Sequence, residues 1–97
     1  MNVNDRRFTQ TEMGLIMKLE MIQTHFLRDM AKLHNWKYSE YVGFLADVFL
    51  SRTFYSAKND PKMYRNWNDV FLDKELVKQA AQEVLGDYKS LKNERNP

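Results

Sequence analysis

His25 and Asp29 stand four residues apart, the first spacing in this chain that invites chemistry. On a helix the two side chains share a face, where they supply two metal ligands or a carboxylate-oriented imidazole. No third ligand follows at a partnering spacing. His34 falls near a helix end, where an imidazolium suits the negative pole of the helix dipole. The pair therefore reads as a solvated ion pair, and no metal is expected. Glu40 and Asp47 lie two turns apart, about 10 Å along a helix axis, too far to share a proton or one metal. The sequence has no Glu-x-x-His pair, Gly-rich phosphate loop or nucleophile elbow, and its four serines lack a recognisable base. Neither catalytic residues nor a cofactor nor a small-molecule substrate is expected.

A second constellation runs from residue 52 to residue 67. Arg52, Lys58, Lys62 and Arg65 face Asp60 alone, a local balance of +3, with Tyr55, Tyr64 and Trp67 interleaved and Asn59, Asn66 and Asn68 adding amides. Basic groups hold phosphates while aromatic rings stack on bases. Arg52, Lys58, Lys62, Tyr64, Arg65 and Trp67 would carry such binding. The plainer reading is a short helix whose Met63, Tyr64 and Trp67 cap the core. A helix-turn-helix can also be laid over Ala31, Asn35, Trp36 and Phe44. It fits poorly, because the expected flanking helices are long and the second is apolar over most of its surface.

Apolar surplus is the more informative signal. Met17 and Met21 project from the main stripe of the first helix, among Lys18, Arg28 and Lys32, while Ile16 and Leu27 widen that stripe. Leu50 and Phe54 fall on the polar side of the second helix, beside Gly43 and Asp47. Contiguous apolar surface usually marks a partner. Arg52 is the converse: a cation inside an apolar arc, suited to snorkelling or to an interfacial ion pair. Ile16, Met17, Met21, Leu50 and Phe54, with Arg52, form the expected protein interface. The expected role is a homodimeric adaptor, inhibitor or assembly factor, bound to itself or to another protein.

The elements that must position these residues are helices. Thr9 and Glu12 match the S/T-x-x-E capping box, with Phe8 and Met13 as its hydrophobic staple. From there Leu15, Leu19, Ile22, Phe26, Met30 and Leu33 recur at helical spacing, predicting one long helix to about His34. Ser39 is the expected N-cap of a second helix to about Ala57. Its Tyr41, Val42, Phe44, Leu45, Val48 and Phe49 cover more than half its circumference, as in a central helix. Asp60 and Pro61 predict a short third helix to about Trp67. Asp73 predicts the cap of a last helix to about Lys92, striped by Val77, Ala81, Val84, Tyr88 and Leu91 and weakened by Gly86. The expected fold is all-α, a small four-helix bundle-like single domain over residues 1–97, frayed at 1–7 and 93–97.

Ninety-seven residues fit one domain. Three Gly and two Pro argue against a turn-rich β fold. The net charge of +2 is spread evenly, so no global basic field points to nucleic acid. Zero cysteines exclude disulfides and thiolate zinc sites and fit a reducing compartment. No secretory signal or bilayer-length apolar stretch stands out, so a cytoplasmic protein without membrane contact is expected. Much Asn, Met and aromatic residue with little Gly and Ala suggests an AT-rich genome, such as that of a phage or other mobile element.

Overall fold

The computed structural model describes residues 8–95, with side chains through Tyr88. It is all-α: α1 (Gln10–Ile22), α2 (Thr24–Leu33), α3 (Tyr38–Phe49), α4 (Arg52–Lys58), α5 (Trp67–Leu72) and α6 (Lys74–Arg95). Of the ends expected to fray, 1–7 and 93–97, residues 1–7, 96 and 97 lie outside the described residues, and 93–95 belong to the last helix. The last helix continues through Arg95, past the expected end at Lys92.

Two of the expected helices are each divided. The first breaks at Gln23, where the backbone leaves helical geometry at φ −111° and ψ 30°. Neither Pro nor Gly is present to cause the break. Gln23 is buried instead, and its Nε2 donates to the Phe71 carbonyl of α5 at 2.8 Å. A buried amide without a partner costs about 1–3 kcal/mol, so the chain bends where that partner can be met. The second breaks at Leu50–Ser51. Ser51 is extended, at φ −63° and ψ 157°, and its hydroxyl accepts the Phe54 N–H, capping a separate α4.

The break at Gln23 also shifts the buried face. Ile16, Leu19, Gln23, Leu27 and Ala31 form the covered line. Leu15, Ile22, Phe26 and Met30 are only half-buried, and Leu33 is 81% exposed.

Around α3 the core closes from several sides. Phe44, Leu45 and Val48 share one buried cluster with Ile16 and Leu19 from α1, Leu27 from α2, Phe54 from α4, Phe71 from α5, and Val77 and Ala81 from α6. Two aromatic groups seal it. Trp36, Phe44 and Tyr88 pack at one place, and Phe49, Phe54, Trp67 and Phe71 at another.

Local chemistry fixes most helix ends. Thr9 and Glu12 form the reciprocal box, with Thr9 N–H to Glu12 Oε1 at 2.9 Å and Glu12 N–H to Thr9 Oγ1 at 3.1 Å. α2 ends in a Schellman turn. Asn35 adopts φ 55°, its N–H bonds the Lys32 carbonyl, and the Trp36 N–H bonds the Ala31 carbonyl. Ser39 is not the cap of α3. Lys37 holds that position, and its backbone N–H donates to Glu40 Oε1 at 3.1 Å. Asp73 caps α6 through the Leu76 N–H at 3.0 Å.

The expected helix after Pro61 is absent. Residues 61–66 form turns, and the next helix starts at Trp67, capped by Asn66. Asp60 spends its side chain on the Lys62 N–H, a local turn that competes with helix propagation.

Candidate interaction site

The expected interface residues divide by exposure. Met17 and Met21 are 63% and 74% exposed, and Leu50 is 49% exposed. Ile16 and Phe54 are fully buried and cannot offer contact surface. Ile16 lies on the line that α1 turns inward. Extending one helix through Ser51 puts Phe54 on a polar face. The break there turns Phe54 into the core, against Trp67 and Phe71.

On α1, Gln10, Gly14, Met17 and Met21 recur at spacings of four, three and four, opposite Ile16 and Leu19. Gly14 is exposed, and a Cβ built there would meet nothing within 4 Å. Among the described residues nothing requires glycine at that position. Along the adjoining edge Glu20 accepts from Thr24 Oγ1 at 3.2 Å and from Arg28 Nε at 2.9 Å. These polar contacts run across the break at Gln23.

In α3's first turn Tyr41 is buried, and its hydroxyl meets no hydrogen-bond partner among the described residues. Burial, helped by the Glu20 carboxylate and opposed by Arg28, pushes its pKa up to about 12.

Arg52 does not sit inside an apolar arc. It is the exposed first residue of α4, and it lines an open groove of about 480 Å³ between α4 and α6. Ala57, Met63, Tyr64 and Leu76 supply apolar lining, and Glu83 accepts from Thr53 Oγ1 across the groove at 2.6 Å. Sequence reasoning missed this groove, because its walls come from helices some 30 residues apart and carry no shared motif.

The basic segment keeps its cations outside: Arg52, Lys58, Lys62 and Arg65 are all exposed. Its aromatic rings are committed elsewhere. Trp67 is stacked on Phe71, tilted against Phe49, and covered by Lys58 Nζ at 5.2 Å from the ring centre. The Tyr64 hydroxyl donates to Asp73 Oδ2 at 2.5 Å. That bond pushes the Tyr64 pKa up to about 12 and lowers that of Asp73, which also accepts the Leu76 N–H. Trp67 is therefore not a free platform for a base.

The helix-turn-helix residues also fall into place. The breaks leave α2 and α3 only 10 and 12 residues long, so helix length no longer opposes such a motif. Burial does. Tyr41, Phe44, Leu45, Val48 and Phe49 commit α3 to the core, and a recognition helix needs a free face.

His25 and Asp29 are both exposed, and no group of three metal-ligating side chains occurs among the described residues. Asp47 accepts the Tyr88 hydroxyl, and Glu40 serves the start of α3. No helix among the described residues is long and apolar enough to cross a membrane. No protein-family model, curated protein or solved structure matches the chain.

Proposed function

We propose that this chain is a non-catalytic protein-interaction module that pairs with a second copy of itself, serving as an adaptor, inhibitor or assembly factor. One observation carries the reading: Met17 and Met21 stand exposed one turn apart on the outer face of α1, beside the open position at Gly14. Exposed glycine in a helix interior costs about 1 kcal/mol relative to alanine. An approaching helix offsets that cost, because a residue without Cβ lets two backbones come close. Methionine suits such a face, since its flexible thioether adapts to a facing surface. A two-fold pairing is the commonest outcome for small oligomers, and it brings the same α1 face to both sides.

Sedimentation or light scattering of the intact chain tests the proposal. A dimer at micromolar concentration that Met17→Glu and Met21→Glu together convert to a helical monomer supports it. A monomer at every accessible concentration sinks it.

A further inference from the structure

The groove between α4 and α6 has a direction. At one end the Thr53 hydroxyl donates to Glu83 Oε2 at 2.6 Å. Toward the other, Tyr64 reaches Asp73, which caps the first turn of α6 at Leu76. The two walls therefore run antiparallel, and the lining changes character along them. Arg52, Thr53 and Glu83 stand at the first end, Met63, Tyr64 and Leu76 at the second, with Ala57 between. The charges of the lining are not balanced. Both of its carboxylates are engaged, Glu83 by Thr53 and Asp60 by the Lys62 N–H at 3.1 Å. The Arg52 guanidinium has no partner among the described residues, and neither have the side chains of Ser56 and Gln79 on the two walls. At about 480 Å³ the groove is of a size that ligands occupy.

A free cation at one end and apolar lining at the other select a partner segment with the reverse pattern. Arg52 precedes Ala57 by five residues on α4, about 7.5 Å along the helix axis. Two residues of an extended chain span about 6.6 Å and point to the same side. We propose that the α4–α6 groove docks an extended acidic peptide segment of a partner protein. The segment seats an apolar side chain over Ala57, between Met63 and Leu76, and a carboxylate two residues away on Arg52. The residue between them turns outward, and its amide lies along Ser56 and Gln79, whose side chains both donate and accept. Arg52 suits the carboxylate because a planar guanidinium holds one through two parallel N–H bonds. The inference concerns α4 and α6 and does not rest on pairing through α1.

Nuclear magnetic resonance titration of the intact ¹⁵N-labelled chain tests the docking. The probe is the blocked peptide acetyl-Gly-Leu-Ser-Asp-Gly-amide. Its addition should shift the backbone amides of Ala57, Met63 and Gln79 along a saturating curve, with a Kd of about 1 mM or below. Asn in place of the peptide's Asp should weaken binding about fivefold, and so should Arg52→Gln in the chain. The two losses should not add, because each removes the same ion pair. A peptide with Asp moved next to Leu should also bind more weakly, since neighbouring residues of a strand face opposite sides. Met63→Ser should weaken every peptide alike. Arg52 and Met63 are both exposed, so the variants keep the fold, and the same spectra report it. No saturating shift at the groove overturns the proposal, as does an equal loss for the Asp and Asn peptides in Arg52→Gln. Sedimentation of the same variants without peptide covers the other occupant. If they break up an assembly of the chain with itself, the groove holds a second copy and the peptide assignment falls.

Discussion

Asp73 answers two donors at once: the Tyr64 hydroxyl and the first-turn N–H of Leu76. Both favour the ionised carboxylate, and they hold its pKa below the ordinary value of 3.8. A lowered pKa in the folded state contributes stability that is complete above the unfolded value. It is lost as pH falls through the folded one. Tyr64 has the opposite sign. Its raised pKa, about 12 against 10.0, gives stability that is complete below pH 10 and lost as pH rises toward 12. The stability difference between the native chain and Tyr64→Phe should therefore be flat from about pH 5 to 9 and shrink at both extremes. Urea unfolding across that range checks it, and a difference that grows in acid would contradict the assignment. At this scale the sequence was partly legible. Asp73 announced itself as a cap because an N-cap is a local matter. Its partnership with Tyr64 was not legible, because it depends on how residues 60–66 fold back.

Helix by helix, the sequence spoke where neighbours in the chain decide the outcome. The Thr9–Glu12 box needs only the residues between its members, and it forms as read. The breaks at Gln23 and Ser51 could not be read in the same way. Gln23 bends α1 away from α2 because a carbonyl 48 residues distant waits for its amide. Serine within an apolar helical pattern reads equally as a tolerated interior residue or as a cap. Once Ser51 caps α4, Phe54 moves from surface to core and Arg52 from an apolar arc to a groove rim. Gly14 yields a prediction at this same scale. Its surroundings are open, so Gly14→Ala should stabilise the isolated fold by up to about 1 kcal/mol. The same change should weaken self-association, since the added methyl group stands where a second backbone approaches. Thermal melts and sedimentation on one sample separate the two effects, and a gain in both would argue against pairing through α1.

For the molecule as a whole, the apolar surplus proved real but dispersed. Leu33, Tyr38, Tyr55, Met63 and Leu72 are exposed along with Met17, Met21 and Leu50. Scattered exposed apolar residues are ordinary, whereas neighbours one turn apart on one helix face are a different matter. Composition could reveal the surplus but not sort it, because the sorting depends on which face each helix turns inward. If the chain pairs through α1 as proposed, Met17→Glu with Met21→Glu should abolish the pairing and leave the circular dichroism spectrum unchanged. Leu33→Glu, on an exposed site of α2 far along the chain, should leave the dimer intact. Loss of association in the Leu33 variant would place the contact surface elsewhere.

The bend at Gln23 has a consequence for the order in which the chain assembles. Among the described residues its amide is answered by an acceptor on α5, so the bend is expected to wait until α5 has docked. Before then, residues 10–33 have every local reason to run as one rod, and a peptide of residues 9–34 should form a helix without interruption. Gln23→Leu should therefore leave the folding rate almost untouched and raise the unfolding rate, the pattern of a contact made after the transition state. Stopped-flow chevrons would show it as a shift confined to the unfolding arm. A slowed folding arm would mean that the chain bends first and α5 finds the bend.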